Sequence, residues 1–474
     1  MTEFLNVDIC VIGAGSGGLS VAAGASQMGA KTVLIEKHKM GGDCLNTGCV
    51  PSKALLAAGH AAHAISRAKD FGVHVEPPRI ESSGVYGHVQ NTIAKIEPND
   101  SIERFEGLGV HVIQGEGRFT GPNEVVVGET TIKARRVVIA TGSRAFVPPI
   151  PGLDSVTYHT NETIFEADKL PEHLIVIGGG PIGIELAQAH RHLGAKVTVL
   201  ELFNVMPKDD PELVAVVRSQ LEEDGIDIIE GIKVNKIEPT PSGVRVNIEQ
   251  NGEDKAIDGS DLLIAAGRVA NVDGLGLEKA GIQYSKKGIE VDARLRTSNK
   301  KVFAIGDVAG GLQFTHVAGY HASIVIKNAL FRLPAKADHR TVPWVTYTTP
   351  ELAQVGLTEE QARKSHGEIK ILRWPFHEND RAQAERQTDG LIKVIITPKG
   401  KILGCGIVGP AAGELIQTWV LAMSQDLKIG AVAQMIAPYP TLGEVSKRAA
   451  GSFYTPSLFS ERTRKIVRFL SKFG

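Results

Sequence analysis

Cysteine is scarce: four thiols (Cys10, Cys44, Cys49, Cys405) in 474 residues. So few exclude a disulfide-stapled secreted scaffold, which uses dense crosslinks in place of a large core. Charge of one sign is lacking as well. Lys plus Arg total 52 against 53 Asp plus Glu, a formal net charge of −1, so no overall basic field draws nucleic acid or anionic lipid. Long hydrophobic runs are missing. The nearest, Leu174 to Ala189, is broken by Glu185 and crowded with glycine, which does not suit a bilayer span. The first residues, Met-Thr-Glu-Phe-Leu-Asn-Val-Asp, show no basic stretch followed by an apolar one, so no secretory signal is expected. These absences predict a protein of a reducing cytoplasm, with no nucleic-acid and no membrane partner.

What is plentiful is glycine: 52 residues, about 11% against an average near 7%. Position explains the excess. An apolar run, Val7 to Ile12, leads into Gly13-Ala14-Gly15-Ser16-Gly17-Gly18, a small-residue helix to about Gly29, and a second run, Thr32 to Ile35, ending on Glu36. Strand, glycine turn, helix, strand and acid make the βαβ unit of a dinucleotide site. Gly13 permits the tight turn, Gly15 lets pyrophosphate approach the backbone, and Gly18 lets helix and strand pack closely. The helix start then offers free N–H groups to phosphate, and Glu36 accepts from a ribose.

The order recurs. Leu174 to Ile177 precedes Gly178-Gly179-Gly180-Pro181-Ile182-Gly183, a helix runs to about Leu193, and Lys196 to Leu200 ends on Glu201. Gly178, Gly180 and Gly183 take the three roles again, so the chain is expected to bind two dinucleotides. Glu201 would repel a 2′-phosphate, and Leu202 and Phe203 supply no Arg to bind one; NADH is favoured over NADPH. From Pro343 the pattern changes to strands (Ile369 to Leu372, Leu391 to Ile396, Ile402 to Val408) followed by helices, an α+β module. The length also accords with about three domains.

The segment Gly41 to Lys53 carries Cys44 and Cys49 with four residues between them, on a glycine-interrupted stretch entering a helix. Two such thiols can close a small disulfide ring, a poor stabiliser because it constrains little of the unfolded chain. At a helix start a thiolate is favoured and can act as nucleophile or electron donor. Spacing alone leaves that reading level with two inert packed cysteines.

Taken together, Gly13 to Gly18, the Cys44/Cys49 pair, Ala140-Thr141-Gly142, Gly178 to Gly183 and Ala304-Ile305-Gly306-Asp307 resemble the class I pyridine nucleotide–disulfide oxidoreductases, the family of dihydrolipoamide dehydrogenase, glutathione reductase and mercuric reductase. The resemblance implies an α/β protein with two Rossmann-type domains and a C-terminal α+β dimerisation domain. It apportions 1–150 to a first FAD-binding part, 151–269 to NAD(P) binding, 270–342 to a second FAD-binding or central part, and 343–474 to dimerisation. It makes Cys49 the thiol beside the flavin and Cys44 the one that meets the substrate, with Lys53 near the flavin and paired with Glu185. Gly42, Gly117, Thr141, Gly142, Gly306, Asp307, Phe314, Thr315 and His316 join Gly13, Gly15, Gly18, Glu36 and Lys53 around FAD, Asp307 on the ribityl chain. Gly267 and Arg268 join Gly178, Gly180, Gly183 and Glu201 around the nicotinamide nucleotide. A homodimer acting on a small disulfide, dithiol or other acceptor is implied, with a lipoyl-bearing protein as one possible partner.

One departure stands out. Dihydrolipoamide dehydrogenase and glutathione reductase carry a C-terminal His, then Pro, and a Glu five residues after the His. Here Tyr439 takes the His position, with Pro440 and Glu444 in place. A phenol near pKa 10 is a poor base where an imidazole near 6.5 serves well. A Tyr in this region resembles mercuric reductases, yet nothing after Cys405 is Cys, and their C-terminal thiol pair is missing. Tyr439 reads as a plain packing residue as readily as a proton donor or substrate contact. A flavoprotein redox sensor with little turnover is the competing expectation. No metal site is expected: His60 and His63 lack a Cys or carboxylate neighbour in sequence, and His190 and His192 read as solvated. His377 is a weak substitute base. Cys10 and Cys405 read as buried core. The basic, apolar-interleaved tail from Arg462 to Lys472 reads as an amphipathic helix over a dimer or domain contact, with membrane-surface attachment the minority reading.

Overall fold

The computed structural model describes residues 3–473. Their chain forms two compact units: Met1–Phe203 with Ile226–Asp338, and Asn204–Gly225 with His339–Gly474.

In the first unit, β1 (Glu3–Ile12), α1 (Ser16–Gln27) and β2 (Thr32–Glu36) form the first βαβ unit. Two helices come next, α2 (Gly42–Asn46) and α3 (Cys49–Arg67). Strands β3 (Val110–Gln114), β4 (Arg118–Gly121), β5 (Glu124–Val127) and β6 (Thr130–Ile139) complete a sheet of order β3-β2-β1-β6-β5-β4. Its β3-β2-β1-β6 part is parallel and β5 and β4 add antiparallel. Strand β2 is buried at every residue, as a parallel strand covered on both faces must be.

The second βαβ unit repeats the first: β7 (His173–Ile177), α4 (Pro181–His192) and β8 (Lys196–Glu201). With β9 (Ile226–Glu230) and β10 (Asp261–Ile264) they form a parallel sheet of order β9-β8-β7-β10. The chain then returns to the first sheet, where β11 (Val302–Ala304) pairs with β6 and delivers α5 (Thr315–Ala329). Helix α5 can lie close on α1 because α1 is built of small residues. A Cβ on Gly24 would come within 2.5 Å of the Ile326 side chain, and one on Gly17 within 3.3 Å of Ala318.

The second unit holds an antiparallel sheet: β12 (Pro343–Thr346), β13 (Glu351–Gly356), β14 (Lys370–Pro375), β15 (Leu391–Ile396) and β16 (Ile402–Gly409), in the order β12-β13-β16-β15-β14. Helices on it include α6 (Glu444–Ser452), and α7 (Glu461–Leu470) ends the described chain. Trp419, fully buried, anchors this core with its indole N–H on Ser446 Oγ.

The helix Pro211–Glu223, expected within the nucleotide-binding stretch 151–269, groups instead with the C-terminal sheet. Lys393 shows why. Its buried ammonium meets Asp210, Glu212 and Glu359 at 2.8–2.9 Å, and Arg373 donates twice to Glu212. A buried ammonium needs such partners, and two of the three belong to this helix and its cap.

His190, expected in solvent, is fully buried in α4, its Nδ1 on the Leu186 carbonyl oxygen and its pKa lowered by burial to about 4. Helix α4 is packed on nearly all sides, so the 3.6-residue period leaves no solvated face for it. His192 is half-buried with its ring stacked on His63, centroids 4.2 Å apart.

Candidate active site

The two glycine turns match nearly atom for atom. Gly13 and Gly178 sit at φ +104° and +117°, conformations that L side chains rarely adopt. A Cβ on either would meet a carbonyl oxygen, of Ala140 or Ala265, at 2.4 Å. A Cβ on Gly18 would lie 1.8 Å from the Gly13 oxygen, and one on Gly183 2.0 Å from that of Gly178. The acids close the turns alike. Glu36 accepts from the N–H groups of Ala14 and His38 at 2.7 and 2.8 Å; Glu201 accepts from Gly179 and Phe203 at 2.6 and 3.0 Å.

They differ above the middle glycine. Gly15 bridges Gly41, the Gly41 N–H bonds the Ala14 oxygen at 3.0 Å, and a Cβ on Gly42 would lie 2.7 Å from Gly15 Cα. A Cβ on Gly180 would meet nothing within 4 Å, and Pro181 beside it is exposed. Both turns fit a dinucleotide: each leads into a helix N-terminus of unbonded N–H groups, and each has a glycine where pyrophosphate requires bare backbone.

The Gly41–Gly42 contact carries the chain straight into the thiols. Cys44 is half-buried on α2, Cys49 is exposed as the first residue of α3, and both are free thiols. Helix α5 brings its own N-terminus to the same place, with Cys49 Sγ 3.3 Å from Thr315 Oγ1. The hydrogen bond from the Cys44 thiol, helped by the Thr315 hydroxyl and the charge of Lys53, overcomes burial and lowers Cys49 to about 6. The bond to Cys49 and burial push Cys44 up. The bond between them thus favours the proton on Cys44 and the thiolate on Cys49.

Lys53, one turn along α3, places its ammonium 2.6 Å from Glu185 Oε2 on α4, whose side chain is only 8% exposed. The close packing of α3 on α4 allows this, since a Cβ on Gly59 would sit 3.2 Å from the Ala189 oxygen. Asp307 lies below. Burial raises its pKa, opposed by Ser143, whose hydroxyl donates to it at 2.6 Å, and by Arg268. Arg268 also donates to Ser143 and lies 3.3 Å from Asp43, beside Cys44. Arg268, expected to bind a cofactor, makes its contacts with Ser143, Asp43 and Asp307. Gly142 and Gly306 take φ +69° and +66°, Thr141 and Asn271 bond each other's backbone, and Gly117 lies on the ends of β1 and β2. Gly267 accepts from the Phe146 N–H, and Phe314 stacks on His316.

Two comparisons decide the family. The model described as pyridine nucleotide-disulphide oxidoreductase matches residues 7–322, and that of its dimerisation domain matches 342–450. The chain belongs to this family. It is 35% identical over 449 residues to a mercuric reductase of Bacillus cereus, covering 94% of this chain and 71% of that one. It is 34% identical over 454 residues to a dihydrolipoyl dehydrogenase of Geobacillus stearothermophilus, covering 94% and 96%. A solved structure, the Cu(II) complex of the HOCl-induced flavoprotein disulfide reductase RclA from Escherichia coli, superposes with a TM-score of 0.84 at 27% identity, over 95% of this chain and all of that one. This pyridine nucleotide-disulphide oxidoreductase is accordingly an FAD-dependent enzyme that works with a pyridine nucleotide.

In the second unit of this oxidoreductase, Tyr439 is 70% exposed and its hydroxyl donates to Asp380 Oδ2 at 2.9 Å. That bond raises the phenol's pKa above its ordinary value. Glu444 opens α6, and His377 is exposed in the turn before Asp380. Sequence reasoning missed Ser143, Asp43 and Asp380. Asp43 had a signal, an acid wedged between Gly42 and Cys44; the other two had none. Cys10 and Cys405 are fully buried, and burial raises both thiols, Cys10 to about 12.

Proposed function

We propose that this chain is an NADH-dependent flavoprotein disulfide reductase in which Cys44 and Cys49 relay two electrons to a small oxidised acceptor. The observation that carries the reading is the meeting at Cys49 of two helix N-termini, the Thr315 hydroxyl and the Lys53–Glu185 pair. That is the setting in which a thiolate is stabilised. Gly13, Gly15, Gly18, Glu36, Gly42 and Asp307 would hold FAD, and Gly178, Gly180, Gly183 and Glu201 the nicotinamide nucleotide. Bound FAD supplies two-electron transfer between the nicotinamide and a thiol pair.

The residues do the rest. Reduction of the disulfide takes two electrons and leaves Cys49 as thiolate and Cys44 as thiol. With a disulfide acceptor, Cys44 loses its proton to water and attacks one acceptor sulfur, expelling the other as thiolate; the Cys49 thiolate then attacks Cys44 Sγ, closing the Cys44–Cys49 disulfide and releasing the second acceptor thiolate. Lys53, held by Glu185, keeps a positive charge beside the thiolate. Exposed Leu202 and Phe203 after Glu201 offer nothing to a 2′-phosphate, which supports NADH. The match to the family's dimerisation domain supports a homodimer, in which Tyr439 and Glu444 of a second copy would face Cys44. A cytoplasmic location accords with free thiols. Among the described residues no helix is long and apolar enough to cross a membrane.

Tyr439 favours a second reading. A phenol whose pKa is raised cannot take up the interchange proton at neutral pH, so the thiol pair would signal redox state without turnover. Steady-state oxidation of NADH and of NADPH with lipoamide, mercuric ion, quinones and small disulfides separates the two. Turnover with NADH many-fold above the oxygen background removes the sensor. Background rates with every acceptor, from protein that still takes up two electrons, remove the reductase.

A further inference from the structure

The C-terminal segment lies beyond the family's dimerisation match, which ends at residue 450. Helix α7 has no buried residue, and Ile466, Val467, Phe469 and Leu470, with Phe473 just after, are 48–74% exposed. A solvated helix does not array large apolar side chains this way. At 100° per residue, Ile466, Leu470 and Phe473 run down one side, flanked by Val467 and Phe469. Arg464, Lys465, Arg468 and Lys472 occupy the opposite side.

The segment from Glu461 to Phe473 holds five basic residues against one acid. Arg464 alone is engaged, with Glu461 at 3.1 Å; among the described residues the other four make no ion pair. Arg462 falls on the apolar side in the first turn, where its stem can lie along apolar surface. The helix is secured locally, Ser460 capping the Thr463 N–H at 3.2 Å and Thr463 Oγ1 bonding the Ser457 oxygen at 2.7 Å. A narrow apolar stripe backed by unpaired lysine and arginine complements anionic headgroups over acyl chains.

We propose that α7 lies in the plane of an anionic membrane surface and attaches the enzyme to it, its apolar side among the acyl chains and its basic side among the headgroups. The attachment is interfacial; nothing in the helix spans.

Full-length, FAD-loaded protein floated with vesicles of equal phosphatidylglycerol and phosphatidylcholine tests this. The protein is expected to rise with these vesicles and at least about tenfold less with phosphatidylcholine alone. Ile466→Glu with Leu470→Glu, and separately Lys465→Glu with Arg468→Glu, should each lower flotation about tenfold or more while flavin absorbance and NADH oxidation with a dye stay unchanged. If the apolar variant loses its flavin, the charge-reversal variant carries the test. Wild type left at the bottom with anionic vesicles overturns the proposal, as does equal flotation of wild type and the charge-reversal variant. So does an apolar variant whose mass by light scattering is half that of a non-floating wild type, since α7 would then be a contact between copies.

Discussion

The two glycine turns of the first unit are built alike and finished differently. Each has its tight glycine under a carbonyl, its close-packing glycine against the first, and its glutamate bonded to the loop N–H groups. Over the first, Gly41 and Gly42 press on Gly15 and continue into Cys44 and Cys49; over the second there is open space beside exposed Pro181. A covered turn suits a cofactor that stays, an open one a coenzyme that comes and goes. On the proposed function the same motif would serve storage of electrons at the first turn and their delivery at the second, the segment laid over each making the difference.

Removing the thiols strikes the first turn's extension alone and should have the largest effect. Cys44→Ser should lower acceptor reduction by about a thousandfold or more, while NADH oxidation with a dye that accepts from flavin persists. Equal loss of both rates would show that the thiols and the turns cannot be separated.

Next come the turns themselves. Gly18→Ala forces a methyl to within 1.8 Å of the Gly13 oxygen and should yield protein with little bound FAD. Gly183→Ala makes the matching clash at 2.0 Å, yet should leave the protein yellow and raise the KM for NADH by about tenfold or more. Flavin content by absorbance and steady-state kinetics decide; the reverse pattern would invert the assignment of the turns.

Glu201→Ala with Leu202→Arg removes the repelling acid and adds a cation at the second turn only. The ratio of kcat/KM for NADPH over NADH should rise by about tenfold, measured with both coenzymes on one preparation. An unchanged ratio would remove Glu201 from the nucleotide site.

The smallest effect concerns pH. Cys49 is lowered to about 6, so the thiolate prevails above that pH and alkylation of reduced protein by iodoacetamide should reach half its plateau near 6. Thr315→Val deletes one bond to the thiolate and should move this midpoint upward, by about half a unit to one unit. A downward shift would mean that the hydroxyl favours the neutral thiol.

Much of this was legible in the sequence, because periodicity and glycine spacing are local. Both turns, both terminal acids and the strands at 391–396 and 402–409 arise from neighbours in the chain. Not legible was the effect of distant segments on meeting. Thr315 reaches Cys49 across 266 positions and Ser143 reaches Asp307 across 164. The helix Pro211–Glu223 falls inside the stretch 151–269 expected to bind nucleotide, and only the buried Lys393 shows where its acids are needed. His190 carries a polar side chain into a packed helix, its Nδ1 on the Leu186 oxygen and its Nε2 buried without a hydrogen-bond partner among the described residues. Tyr439 was visible as a departure, but its partner Asp380, 59 residues away, was not.

The central claim is that electrons enter the thiol pair through Cys49. Anaerobic titration of the FAD-loaded protein with NADH tests it most directly, comparing wild type with Cys49→Ser and Cys44→Ser. The account predicts a broad absorption band at wavelengths beyond the flavin's own that appears in wild type as NADH reduces the disulfide, that is present in Cys44→Ser before any NADH is added and fades as its flavin is reduced, and that is absent from Cys49→Ser throughout. A band that survives in Cys49→Ser would contradict it.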